Sequence, residues 1–328
     1  MIALAAVAAA GLLAAHPEAR SEWWYYTGHL RRAGHELGFE LTFFRFRLPD
    51  GEDLDAAHFA VTDVAGNRFV FDEKLHRPFP GIAAASPSRL DVYTEDWFAR
   101  EEHGAHHLAA RSFAAAIDLR LEPAAPLVEN GEGGISRKGA GPDEYSHYVT
   151  IPRLRVTGTE WDGASRAQVT GEAWFDHEWG PGGLSPDLAG WDWFACQLSD
   201  GGELMLYRLR LRGGADSPFS SGTWIPPDGG PRHLGSQDFG VIATGRWASP
   251  KSGATYPSGW RISVPALGVQ LSVAPKLADQ ELVTSRSTRV TYWEGACAVA
   301  GTAQGRAVSG NAYVELTGYA GRDLPSPR

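Results

Sequence analysis

The sequence predicts an all-β protein built as two similar antiparallel β domains in tandem. Short extended runs alternate with turn residues, chain breakers are scattered throughout, and one strand–turn–strand unit recurs. The 328 residues are enough for two domains at ~150 residues each. The 39 glycines and 21 prolines are spread along the chain, which argues against a helical bundle or coiled coil. Twelve tryptophans within an aromatic share of 11% call for a large core and exclude a disordered chain.

In chain order, Met1–Ala15 is an apolar run of Ala, Leu, Val and Ile. It is shorter than the ~20 residues that cross a bilayer. It reads as an apolar leader or truncated signal segment, although it lacks basic residues ahead of the apolar run. The sequence therefore leaves the location open: exported or periplasmic if Met1–Ala15 is a signal segment, otherwise cytoplasmic or membrane-peripheral. From residue 22 onward strands dominate. Glu40–Arg47 is aromatic and β-rich. In Glu203–Arg212, Met205, Tyr207, Leu209 and Leu211 alternate with Arg208 and Arg210. Arg261–Val264, Val269–Val273, Thr288–Trp293 and Asn311–Tyr319 have the same character. Hairpin and loop chemistry stands at residues 49–51, 199–202 and 226–230. Many short strands at this spacing suggest sandwiches or barrels.

The repeat sharpens the domain picture. A strand starting at Trp24, a turn near Gly34 and a strand ending Phe44-Arg45-Phe46-Arg47 form one unit. A strand starting at Trp191, a turn at Gly201–Gly202 and a strand ending Tyr207-Arg208-Leu209-Arg210 form the other. Two similar β domains follow, residues 16–184 and 185–328, joined in the Gly-, Pro- and Ser-rich stretch 181–189.

Charge and cysteine content narrow the function. A formal charge of −9 disfavours nucleic-acid binding, which needs surplus Lys and Arg. Two cysteines, Cys196 and Cys297, are too few for a disulfide scaffold or a structural zinc site; both read as unlinked buried thiols. The histidines of Glu101–His107 are irregularly spaced and give no metal signature. Phosphate-loop, dinucleotide-binding, zinc-protease and nucleophile-elbow motifs are absent from the sequence. No cofactor or metal is expected.

The densest polar-aromatic run is Ala173-Trp-Phe-Asp-His-Glu-Trp-Gly180. On a strand, Trp174, Asp176 and Glu178 share one face, and Phe175, His177 and Trp179 the other. Two carboxyls at i and i+2 in a closed cavity raise one pKa by desolvation and mutual repulsion. The product is a carboxylic acid that stays protonated near neutral pH. Glu22, Glu40, Arg45, Asp192, Arg208 and Glu315 also sit on apolar strands, where charges need partners. Arg45 and Arg208 are expected to pair with acids such as Glu40 or Glu315. Tyr145-Ser-His-Tyr148 is a further polar-aromatic run.

Several spaced motifs carry a resemblance. They are His16–Gly28, Phe39–Arg45, Ala57–Ala60, Ser136–Gly139, Ala173–Gly180, Gly190–Phe194, Glu203–Tyr207, Asp279–Leu282, Tyr292–Gly295 and Tyr313–Tyr319. Together they resemble the carotenoid 1,2-hydratase (hydroxyneurosporene synthase) and AttH-like superfamily from about residue 16 to 320. The resemblance implies two lipocalin-like antiparallel β-barrels in tandem. It also implies a toolkit of activities, including carotenoid hydratases and cyclases of the Diels–Alder, decalin-forming type. In the hydratases an Asp within a Tyr-x-Asp-His strand motif is taken as the acid. Asp176 matches it and His177 follows, while Trp174 replaces the Tyr.

The expected catalytic residues are Asp176, Glu178 and His177. The expected substrate-binding residues are Trp24, Tyr26, Glu40, Arg45, Tyr148, Trp174, Trp179, Trp191, Trp193, Tyr207 and Arg208. A weakly basic alkene needs a strong, dry acid aimed at one carbon, and the resulting cation can rest on Trp and Tyr faces. The first expectation is thus an acid-catalysed hydratase or cyclase on a long apolar, isoprenoid-like or polyene substrate, acquired by peripheral membrane association. A noncatalytic carrier of an apolar ligand is the alternative, and a hydrolase with paired carboxylates the weaker one.

Overall fold

The computed structural model describes residues 11–321; the first ten residues of the apolar run lie outside them. The strands of the first half are β1 (Ser21–Arg32), β2 (His35–Arg47), β3 (Asp53–Asp63), β4 (Arg68–His76), β5 (Ala83–Ala85), β6 (Asp91–Thr94), β7 (Trp97–Glu102), β8 (Ala105–Arg111), β9 (Ala116–Pro123), β10 (Val128–Glu129), β11 (Ile135–Arg137), β12 (Tyr145–Trp161) and β13 (Arg166–Gly180). Those of the second half are β14 (Leu188–Leu198), β15 (Glu203–Leu211), β16 (Ser221–Ile225), β17 (Arg232–Gly235), β18 (Gly240–Ala243), β19 (Arg246–Ala248), β20 (Thr255–Pro257), β21 (Trp260–Val264), β22 (Val269–Pro275), β23 (Glu281–Val283), β24 (Thr291–Ala303) and β25 (Arg306–Leu316).

The protein is all-β, two lipocalin-like antiparallel barrels in tandem. The first sheet runs β4-β3-β2-β1-β13-β12-β9-β8-β7-β6-β5, and the second β17-β16-β15-β14-β25-β24-β22-β21-β18. The two orders follow one plan. A meander leads in from the edge, the last strand of the unit pairs with its first, and a second meander leads out. The recurring hairpins β1–β2 and β14–β15 hold the same place in each barrel. Thr288–Trp293, expected as one strand, instead turns through Arg289 at φ +60° before β24 begins at Thr291.

Strand alternation sorts the apolar residues into three layers. Trp24, Tyr26, Phe39, Leu41, Phe43 and Phe175 point into the first barrel. Phe194, Cys196, Leu204, Leu206, Trp260 and Cys297 fill the second. A third layer, with Tyr25, Tyr148, Trp174, Trp193, Met205 and Tyr207, lies between the barrels. Cys196 and Cys297 are free and buried. They stand on either side of Ala312 in β25, two strand spacings apart and too far for a disulfide.

The end of the apolar run belongs to the fold. Leu13 and Ala15 join the first core. The Trp24 indole donates to the Leu13 carbonyl at 3.0 Å, and the Ala15 amide donates to Ser86 at 2.8 Å. A leader and a core segment have the same composition, so residues 13–15 could not be separated from a leader by sequence alone.

Polar contacts also tie the barrels together. Arg153 of β12 reaches Glu203 of β15 at 2.6 Å and Glu172 of β13 at 2.6 Å. Thr62 donates to Gln280 at 2.7 Å, and Thr223 donates to Asn130 at 2.7 Å.

Candidate active site between the barrels

Matched register fixes which side chains face the gap. Across β1, β13 and β12, Tyr25, Asp176 and Thr150 stand side by side, and so do Trp23, Glu178 and Tyr148. Across β14, β25 and β24, Trp193, Glu315 and Glu294 form a similar row. Residues directly opposite share a sheet face. These faces turn toward each other and enclose a cavity of about 130 Å³, lined by Trp23, Tyr25, Tyr148, Asp176, Glu178, Trp193, Tyr207, Glu315 and others. A single water needs about 10–15 Å³ on this measure, so the space suits an organic ligand.

Asp176 is buried and held by three donors. Tyr148 Oη donates to Oδ2 at 2.5 Å. Thr150 Oγ1 and Trp174 Nε1 donate to Oδ1 at 2.6 and 2.7 Å. The donors are themselves positioned: Trp193 Nε1 donates to Tyr148 Oη at 3.0 Å, and Asn130 Nδ2 donates to Thr150 Oγ1 at 2.6 Å. Burial pushes the Asp176 carboxyl up to about 7, while the three donors restrain the rise. Oδ1 already accepts twice, so the acidic proton belongs on Oδ2, which has one lone pair free. Trp174, which departs from the tyrosine expected two residues before the acid, still supplies a donor through its indole. The hydroxyl comes from Tyr148 on the neighbouring strand.

Glu178 has a different setting. Lys138 Nζ lies 3.1 Å from Glu178 Oε2, and the Ser146 hydroxyl donates to the same oxygen. Lys138 also sits 4.2 Å from the centre of the Tyr207 ring. Burial alone would lower the lysine's pKa, but Glu178 and Tyr207 hold it above its ordinary value. Lys138 and Ser146 fall in runs that the sequence singled out, yet their pairing with Glu178 joins the loop after β11 to β12 and β13 and could not be read from spacing.

The second barrel contributes acids too. Burial pushes Glu315 up to about 7, with Trp191 pulling it down and Glu178 and Asp176 pushing it further up. Burial and then the neighbouring Glu315 and Glu40 hold Glu294 well above the carboxylate range; Tyr25 Oη donates to it at 2.7 Å. Glu40 is fully buried behind this row, and the Thr42 hydroxyl donates to it.

Of the expected ligand-contacting residues, Tyr148, Trp179, Trp191, Trp193 and Tyr207 line the cavity. Trp174 acts on it through Asp176. Five others are corrected, among them Glu40, which is fully buried and does not line the cavity. Trp24 and Tyr26 point into the first barrel, where Tyr26 Oη pairs with His106 Nδ1 at 2.9 Å; their neighbours Trp23 and Tyr25 face the cavity. Neither Arg45 nor Arg208 reaches the cavity or the expected partners. Arg45 pairs with Glu22 at 2.5 Å and Arg208 with Asp192 at 2.7 Å, each acid directly opposite its arginine.

The expected catalytic role of His177 is also corrected. Strand alternation turns it to the far face of β13, where it stacks on Trp24 at 4.7 Å. Its Nε2 is 3.0 Å from Glu22 Oε1 and its Nδ1 is 2.8 Å from the Leu12 carbonyl. His16 Nδ1 meets the same Glu22 oxygen at 3.0 Å. This trio has metal-ligand chemistry. Burial would raise Glu22, but His16, His177 and Arg45 bring it down to about 2. Its charge is thus already matched inside the protein.

An acid in an aromatic chamber between two such barrels defines a two-barrel, lipocalin-like protein with a cavity between the barrels. The AttH-like family model matches residues 9–319, and the chain belongs to the AttH-like family. A structure described as a putative AttH from Nitrosomonas europaea is 32% identical, with a TM-score of 0.86, covering 93% of this chain and 95% of that one. Kievitone hydratase from Nectria haematococca is 16% identical, with a TM-score of 0.76, covering 94% of this chain and 92% of that one. CghA is 12% identical, with a TM-score of 0.59, covering 97% and 93%. The last two likenesses show the fold. No curated protein matches.

Proposed function

We propose that the protein catalyses acid-initiated addition to a C=C bond of an apolar, isoprenoid-like alkene bound between the barrels, with Asp176 as the proton donor. The observation that carries this reading is the Asp176 carboxyl, buried among aromatic rings and pushed up to about 7. Burial keeps it protonated before reaction. Three donors then stabilise the carboxylate once the proton has left. The alkene takes the proton on one carbon, and the tertiary cation at the other lies against ring faces such as Trp23 and Trp193. Water, or a second alkene of the same molecule, supplies the electron pair that completes the addition. The name of kievitone hydratase, which shares the fold, accords with such chemistry. In this reading residues 16–184 and 185–328 act as two domains sharing one site.

The test uses a panel of isoprenoid alkenes incubated with the protein in D2O. Turnover places one non-exchangeable deuterium on carbon; hydration adds the mass of water and cyclisation leaves the rest unchanged. Asp176→Asn should retain ligand binding and lose deuterium incorporation. Deuterium incorporation at the wild-type rate in that variant would reject Asp176 as donor. A carrier would return every bound alkene unlabelled.

A further inference from the structure

The addition ends by releasing a proton, and the cavity holds several candidate acceptors. Glu178 is engaged by Lys138 and Ser146. Glu294 accepts from Tyr25, and Glu40 is sealed behind Thr42. Glu315 differs. Its side chain is half-buried and lines the cavity. Among the described residues no Lys, Arg or His forms an ion pair with it; a hydrogen bond from Trp191 and the more distant charge of Lys138 favour its ionised form. It projects beside Trp193, directly opposite on β14, whose indole also donates to the Tyr148 hydroxyl that holds Asp176. One tryptophan thus separates the two carboxyls.

We propose that Glu315 is the second acid–base group of the cavity: the carboxylate that faces the developing cation and takes up the proton that completes the addition. This rests on the reading above. In hydration, Asp176 loses its proton to the alkene carbon. Water oxygen bonds to the cation, and the resulting oxonium gives one proton to Glu315. In cyclisation, the internal alkene attacks and the final cation loses a carbon-bound proton to Glu315. Either way one proton moves from Asp176 to Glu315, and it returns through cavity water before the next turnover. The similar proton affinities of the two groups keep that return nearly level.

The groups facing Glu315 are Glu294 and Tyr292 on β24, Asp176 and Glu178 on β13, Glu40 on β2, Tyr25 on β1 and Lys138 after β11. Most of these are acids or phenols, so a cation placed there meets Glu315 with no ion-paired base between them.

The test needs no turnover, so it stands apart from the fate of Asp176. N,N-dimethyldodecylamine is the probe, an ammonium at the head of an apolar chain, and dodecanol is its uncharged control. Both are titrated by tryptophan fluorescence. The wild type should prefer the amine, more so at about pH 8 than at about pH 6 as the carboxyl ionises. Glu315→Gln should weaken the amine about tenfold, the loss of one charge pair, and leave dodecanol unchanged. In Asp176→Asn, which keeps Glu315 and removes the other carboxyl titrating near neutrality, the preference should still rise with pH. Glu315→Asp should recover part of it. Equal losses for both probes in Glu315→Gln, or a pH-independent preference in Asp176→Asn, would overturn the proposal.

Discussion

The two barrels present the same framework to the cavity and different chemistry upon it. Glu22 opposite Arg45 in the first corresponds to Asp192 opposite Arg208 in the second. From that anchor, the row Trp23–Glu178–Tyr148 corresponds to Trp193–Glu315–Glu294, and Tyr25–Asp176–Thr150 to Ala195–Tyr313–Ala296. The last pair of rows differs most. In the first barrel a carboxyl stands between two hydroxyl-bearing residues; in the second a tyrosine stands between two alanines. In the proposed reaction the proton donor therefore belongs to one barrel, while the other supplies ring faces and the proposed acceptor Glu315. A repeated scaffold has been made asymmetric at one position without disturbing the strand register that aims it.

Substitutions can break that asymmetry, the most consequential first. Asp176→Asn should lower turnover about a thousandfold, within the range for loss of a general acid, measured as deuterium incorporation with ligand binding unchanged. Tyr313, at the corresponding position, contributes no proton, so Tyr313→Phe should leave turnover within a few-fold of wild type. The Asp176 substitution should also stabilise the fold at high pH. A carboxyl raised in the native state makes the unfolded chain the easier one to ionise, so its cost appears as pH rises from about 4 through 7. The Tm of Asp176→Asn should exceed that of the wild type at about pH 8 and converge with it near pH 4.

The equivalent arginines come next. Arg45→Ala should cost about 3 kcal/mol, because Glu22 is fully buried and keeps only histidines as partners. Arg208→Ala should cost about 1 kcal/mol, because Asp192 retains Arg210 at 2.9 Å and the Tyr319 hydroxyl at 2.9 Å. Denaturant unfolding at neutral pH measures both. Equal losses would show that the two pairs are alike in strength despite their different surroundings.

Tyr148→Phe acts on the acid itself, more mildly than Asp176→Asn. It removes one of three donors to Asp176, so the carboxyl becomes harder to ionise. The alkaline limb of the pH–rate profile should move to higher pH, and the rate at the optimum should fall by about tenfold, the loss of one charge-assisted hydrogen bond. An unmoved limb would mean that Asp176 is not the titrating acid.

Strand content, the repeat and the shared face of Asp176 and Glu178 were legible in the sequence because each depends on near neighbours. Alternation in Glu203–Arg212 and the i, i+2 relation of Asp176 to Glu178 follow from the backbone itself. Which face is which does not. In Trp23-Trp24-Tyr25-Tyr26 every residue is a large aromatic, so the pattern fits either orientation, and a shift by one residue exchanges barrel interior for cavity wall. His177 entered the expected site for another reason: it follows the acid in the family-like motif, although the pleat already put it on the other side of the sheet. The cavity's place between the barrels depends on packing between residues far apart in sequence, 269 positions for Tyr25 and Glu294 and 71 for Ser136 and Tyr207. The arginine partners were missed for a simpler reason: each acid lies on the preceding strand of the hairpin, and the pairing follows from register rather than from apolarity.

Because neither barrel alone encloses the cavity, an occupant grips both halves. Its binding free energy is then shared by two otherwise self-contained cores, and mass action couples them. An alkene bound as proposed would act as a reversible cross-link: raising its concentration should draw the melting of the two halves toward a single cooperative event.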